Sequence, residues 1–218
     1  MHDATYRFFD TAFTVETDDP GFLAHFDRSY GCFRIPDRLP APVYRLRLCD
    51  RPELDLAGEV WRAADPAALR VFACTAILNA AMTQVCSHFL FHAAALASPD
   101  GAGVMIAGDA GLGKTTLTLA LLRHGYRVFS DDVAAVGCTD GQLYPFPRPL
   151  AVWDATCGAG EKRLRDPVGP EAAQEPCPLR RLFLLADGAA ARWPEGWTVV
   201  LDRLPEALLS DLAGLPDV

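Results

Sequence analysis

Gly108-Asp109-Ala110-Gly111-Leu112-Gly113-Lys114-Thr115 reads G-x-x-x-x-G-K-[ST], and its setting decides the fold. Val104-Met105-Ile106-Ala107 before it is an apolar run of strand length, and Thr116-Leu117-Thr118-Leu119-Ala120-Leu121-Leu122 after it reads as the first turns of a helix. Strand, glycine loop and helix are the order that phosphate binding requires. The glycines let successive amides turn inward around phosphate oxygens, the lysine reaches the terminal phosphates, and the hydroxyl serves magnesium. Gly108 to Thr116 are therefore the expected nucleotide-phosphate contacts. Lys114 and Lys162 are the chain's two lysines beside eighteen arginines, so a lysine at this position is pointed.

Just upstream, Phe89 to Leu96 reads as another strand, followed by the turn cluster Ser98-Pro99-Asp100-Gly101. So short a connection cannot be a parallel crossover, and the two strands are expected to form an antiparallel hairpin. Downstream, Gly125 ends the helix with Arg123 and His124 in its last turn. Tyr126 to Ser130 is the next expected strand and runs directly into Asp131-Asp132, sixteen residues beyond Thr115. One short helix and one strand bring those carboxylates back beside the loop. A nucleotide's magnesium needs a carboxylate there, and transfer to a hydroxyl needs a base. Val133-Ala134-Ala135-Val136 continues apolar, so the two charges interrupt a buried segment, which favours a cation as their partner.

The stretch from His92 through the loop to Asp132, continuing to Val136, resembles the catalytic core of the bacterial HPr serine kinases, and more closely their shorter HPr-kinase-related relatives. In that family a histidine before the loop, the phosphate loop, a helix ending in H/R-G and a D-D pair recur in this order. The resemblance implies a mixed α/β fold of the HPr kinase and phosphoenolpyruvate carboxykinase type, with ATP and magnesium at the loop. It further implies that Lys114 contacts the phosphates and that Thr115 and Asp132 serve magnesium. Asp131 would then take the proton of the acceptor hydroxyl, with His92 near the transferred phosphate. The chain departs from the longer enzymes in reading K-T-T where they have K-S-E, and in lacking their R-G-x-G segment. Instead it carries Pro145-Phe146-Pro147-Arg148-Pro149, similar to the short relatives. Arg148, framed by prolines, either clamps phosphate or stands exposed in a loop.

The remaining 218-residue chain sets bounds. Half its residues are apolar, enough for a core, and its net charge of −8 excludes a general nucleic-acid binder. Seven cysteines without a C-x-x-C pair suggest reduced thiols in a cytoplasm. No signal-like or membrane-spanning segment is expected, since polar residues interrupt the apolar run Ala67 to Cys86. Residues 1–64 read as a small β-rich region, with strands at Tyr6–Phe9, Ala12–Val15 and Val43–Leu48 separated by turns at Asp18-Asp19-Pro20-Gly21 and by Pro36, Pro40 and Pro42. Residues 65–218 read as the catalytic domain, opening with a helix from Asp65-Pro66 to about Ser87. Asp154 to Pro178 reads as a long loop, either one able to cover the site or receive a peptide or a disordered surface excursion. Leu179–Leu185 reads as a core strand and Leu204–Leu212 as a closing helix.

The expected activity is ATP-dependent transfer to a serine hydroxyl of a protein or peptide, a ribosomal peptide such as a lasso-peptide precursor among them. A small-molecule kinase and a nucleotide-binding module without turnover are the alternatives, and a homo-oligomer is open.

Overall fold

Tyr6, Phe8, Phe13 and Val15 alternate with polar or small neighbours along two opening strands, and all four are fully buried. In the computed structural model these strands are β1 (His2–Phe8) and β2 (Thr11–Thr17), paired antiparallel. The structure describes residues 1–49, 51–153, 162–166 and 171–185. They divide into two units, Met1–His88 and Phe89–Val218.

The first unit continues with α1 (Pro20–Tyr30), β3 (Arg34–Ile35), β4 (Val43–Arg47), β5 (Glu53–Leu56), β6 (Glu59–Arg62) and α2 (Pro66–Met82). Its strands form one sheet in the order β3-β1-β2-β4-β5-β6, with β2 and β4 parallel. Helix α1 replaces the simple turn expected at Asp18 to Gly21. Asp19 caps it through the Gly21 amide at 2.8 Å, Pro20 opens its first turn, and Phe22, Leu23, Phe26 and Tyr30 are buried. Strands β3, β5 and β6 were not expected either. Asp65 caps α2 at the Ala67 amide as its sequence foretells, but the helix stops at Met82, short of Ser87. Leu69, Ala73, Ile77 and Ala81 form its buried stripe, one residue every turn. It packs on β5, β2 and β4, which is why this unit extends to His88 and not to residue 64.

The second unit holds β7 (His88–Phe91), β8 (Ala93–Ala97), β9 (Gly103–Gly108), α3 (Lys114–Arg123), β10 (Arg127–Ser130), β11 (Ala134–Gly137), β12 (Gln142–Tyr144), β13 (Leu150–Trp153), β14 (Lys162–Arg165) and β15 (Cys177–Leu185). The main sheet runs β10-β8-β9-β15-β12-β11-β7. β8 and β9 form the antiparallel hairpin that the Ser98–Gly101 turn demands, in register from Ala93↔Ala107 to Ala97↔Gly103. β9 then pairs parallel with β15, giving a mixed sheet. Strand alternation sends Ala94, Leu96, Val104 and Ile106 to one face, where α3 covers them with Leu117, Ala120 and Leu121. Ala93, Ala95, Ala97 and Met105 meet Phe129, Ala134 and Leu143 on the other. Gly103 is required by this packing, because a Cβ there would lie 2.9 Å from a Leu143 methyl and 3.0 Å from the Pro178 carbonyl.

The strand expected over Phe89–Leu96 is broken at His92, where the chain passes from the sheet edge at β7 to the interior at β8. Within the expected loop Asp154–Pro178, Lys162–Arg165 is instead β14, antiparallel to β13. The rest of that stretch lies in part, and the expected helix Leu204–Leu212 wholly, outside the described residues. Among the described residues no helix is long and apolar enough to cross a membrane.

Candidate functional site

The glycine loop joins β9 to α3, the arrangement its sequence foretells. Gly113 takes φ +85° as the N-cap of α3, a left-handed backbone that L side chains resist. No side chain caps this helix start. Its first amides are thus left to a ligand, and their partial positive charge favours a phosphate. Above Gly111 and Gly113 a Cβ would meet nothing within 4 Å, so the loop's rim is open. Lys114 is 8% exposed and folds back on the loop, donating from Nζ to the Gly108 carbonyl at 2.6 Å and the Asp109 carbonyl at 3.1 Å. Thr118 ties the first turn by donating to the Lys114 carbonyl at 3.0 Å.

Strand β10 delivers Asp131 and Asp132 beside this helix start, but the two carboxylates face different partners. The Thr115 hydroxyl donates to Asp131 Oδ2 at 3.1 Å, so Thr115 meets Asp131 where Asp132 was the expected companion. The reason is local. The Ser130 hydroxyl accepts the amides of Asp132 at 3.3 Å and Val133 at 3.1 Å, turning the chain sharply after β10 so that successive side chains diverge.

Asp131 is 4% exposed and also accepts the Ala151 amide at 3.2 Å. Its Oδ1 is buried without a hydrogen-bond partner among the described residues. Burial raises the Asp131 carboxyl above the ordinary carboxylate range, against the opposing pull of Arg148, the Ala151 amide and the Thr115 hydroxyl. A buried oxygen with no donor, beside a phosphate-loop hydroxyl, is a fitting ligand for a hard divalent cation. Among the described residues there is no cluster of three His, Cys, Asp or Glu that could cage a metal by itself.

Asp132 is more open, its side chain 37% exposed. His92 Nδ1 lies 3.0 Å from Oδ1, and Arg148 Nη1 lies 2.5 Å from Oδ2. The break between β7 and β8 places His92 here. Arg148 comes from the proline-framed segment between β12 and β13, and its side chain is only 10% exposed, not the exposed loop arginine that is the commoner case. The structure therefore brings together Lys114, Thr115, Asp131, Asp132, His92 and Arg148. The contribution of the Ala151 amide has no signal in sequence, because any residue could supply it.

The raised Asp131 carboxyl carries a stability consequence. A carboxyl whose folded-state pKa is raised favours the fold when protonated and opposes it as pH rises through that pKa. Asp131→Asn should therefore raise the melting temperature at neutral pH, and the gain should shrink as pH falls into the ordinary carboxylate range. Thermal unfolding at several pH values measures this, and a lowered melting temperature at neutral pH would contradict the burial argument.

No protein-family model matches the chain. A stretch of 41 residues is 39% identical to the HPr kinase/phosphorylase of Treponema pallidum subsp. pallidum, covering 19% of this chain and 13% of that protein. A stretch of 48 residues is 38% identical to the HPr kinase/phosphorylase of Clostridium beijerinckii, covering 22% of this chain and 16% of that one. The matched stretches thus span less than a fifth of the relatives' own length. Among solved structures, the Hpr(Ser) kinase/phosphatase from Coxiella burnetii aligns at a TM-score of 0.33 and 25% identity, covering 52% of this chain and 66% of that chain.

Proposed function

We propose, from the premise that the chain is HPr kinase-like in its phosphate-loop core, that it transfers the γ-phosphate of ATP to a serine hydroxyl of a peptide or small protein. The observation that carries the reading is the contact of Thr115 with a buried, partly unsatisfied Asp131, with a second, open aspartate next to it. A loop that only bound phosphate would need the first carboxylate and not the second.

In this reading the loop amides and Lys114 bind and orient the triphosphate. Thr115 and Asp131 hold magnesium, which supplies positive charge against the charge that develops on the phosphate oxygens. Asp132 is the base, exchanging the role that sequence alone suggested with Asp131. It is the carboxylate an acceptor can reach, and His92 at 3.0 Å orients it. The acceptor oxygen forms its bond to the γ-phosphorus, and the bond from that phosphorus to the bridging oxygen breaks. ADP leaves with the electron pair, and the hydroxyl proton passes to Asp132. In this reading the protein works in the cytoplasm, where ATP is available.

The acceptor is tested by incubating the chain with ATP, magnesium and serine-containing peptides or small proteins encoded beside it, followed by mass spectrometry. One added phosphate on a serine is the expected result. Phosphate on a small molecule instead would make this a small-molecule kinase. ATP binding with no transfer to any acceptor would make it a binding module.

A further inference from the structure

Strand β7 ends the main sheet beside β11, and among the described residues no strand pairs with its other side. Such an edge presents the backbone N–H and C=O groups of alternate residues outward. Its side chains alternate too: His88 and Leu90 are half-buried, while Phe89 and Phe91 are 60% and 41% exposed. The strand carries none of the lysines, prolines or acidic residues by which edges are usually protected from pairing.

The next residue is His92, whose side chain is 62% exposed and whose Nδ1 lies 3.0 Å from Asp132 Oδ1. The edge therefore leads directly to the open carboxylate read above as the base. A backbone satisfies such an edge only when it is extended, so that its own donors and acceptors recur at the strand spacing of about 3.3 Å per residue. The occupant is thus an extended peptide, and neither a helix nor a small molecule. A second copy of the chain does not match the scale, since four residues fall well short of the roughly 800 Å² that each partner of a stable pair buries.

We propose that the acceptor docks by adding a strand to the free edge of β7. Its apolar side chains, two residues apart, lie against Phe89 and Phe91, and its serine follows one or two residues further on, beside His92 and Asp132. The backbone hydrogen bonds set the register whatever the sequence, and the two rings select the side chains. This rests on the kinase reading above and adds to it the conformation and local pattern of the acceptor.

Linear peptides test the docking: a single serine, a glycine, then valines alternating with glutamines, and the same order reversed. Each is compared with a peptide of equal composition in which the valines are adjacent. With ATP and magnesium, the full chain should use one alternating peptide with a KM about tenfold below its control. Phe89→Ser combined with Phe91→Ser should abolish that preference, and an unchanged ATP affinity and melting temperature would show that the double variant is folded. Methylating the peptide amides one at a time should raise KM at every second position, as strand pairing requires. The docking is overturned if alternating and control peptides are used alike, if the double variant keeps the preference, or if the methylation losses do not alternate. Transfer only to folded proteins or to small molecules overturns it as well. A chain that gel filtration finds paired, with the pair lost in the double variant, would give the edge to a second copy instead. ATP binding without transfer to any acceptor defeats the kinase reading itself, and is thereby distinct from failure of the docking.

Discussion

Lys114→Ala should lower ATP-dependent transfer by at least about a hundredfold, the usual loss when one preorganised donor to a developing charge is removed. The ammonium is nearly buried and its present partners are two carbonyls of its own loop, Gly108 at 2.6 Å and Asp109 at 3.1 Å. Both are neutral, so an anionic phosphate entering the loop is the stronger acceptor. The structure is thus poised for the lysine to change partners with little movement of the chain. Stability should change little, because the α3 bond from Thr118 goes to the main-chain carbonyl of residue 114 and survives the substitution. Nucleotide titration together with thermal unfolding separates the two effects. Loss of ATP binding with an unchanged melting temperature is expected, whereas full ATP affinity in Lys114→Ala would show that the loop does not work this way.

Asp132→Asn should reduce transfer by about a thousandfold, within the usual worth of a positioned base, while ATP binding is retained. An amide cannot take the acceptor proton, yet it is nearly isosteric and can still meet His92. Asp131→Asn should behave differently, blunting the dependence of nucleotide binding on magnesium, because its carboxylate is the one joined to Thr115 at 3.1 Å. Measuring transfer and magnesium dependence in both variants assigns the two roles. If Asp131→Asn kept its magnesium response and lost only transfer, the assignment would revert to the one the sequence resemblance implied.

The hairpin, the loop and α3 are legible in sequence because their determinants are local. The turn at Ser98–Gly101, the apolar alternation on either side and the glycines of the loop all act within a few residues. The first unit was harder. Asp19-Pro20 carries the same helix-start signal as Asp65-Pro66, but Gly21 beside it reads equally as turn chemistry, and the apolar spacing of Phe22, Leu23, Phe26 and Tyr30 decides only once it has a sheet to pack on. The β5–β6 hairpin turns through Ala57 and Gly58, both at positive φ. Alanine rarely signals such a turn, and the strands themselves are short and charged. At the site, sequence places both aspartates beside the loop but cannot separate them. Which one meets Thr115 is settled by the Ser130 turn, a hydrogen-bonding detail invisible in spacing. The burial of Arg148 against Asp132 is longer in range still, spanning sixteen residues and two strands.

The central claim is that Gly108–Thr115 and the aspartates beside it form a working ATP site. Calorimetric titration of the full chain with ATP in the presence of magnesium tests it most directly. The account predicts saturable binding of one ATP per chain, lost in Lys114→Ala. No saturable binding even at millimolar ATP, or binding that Lys114→Ala leaves intact, would contradict it.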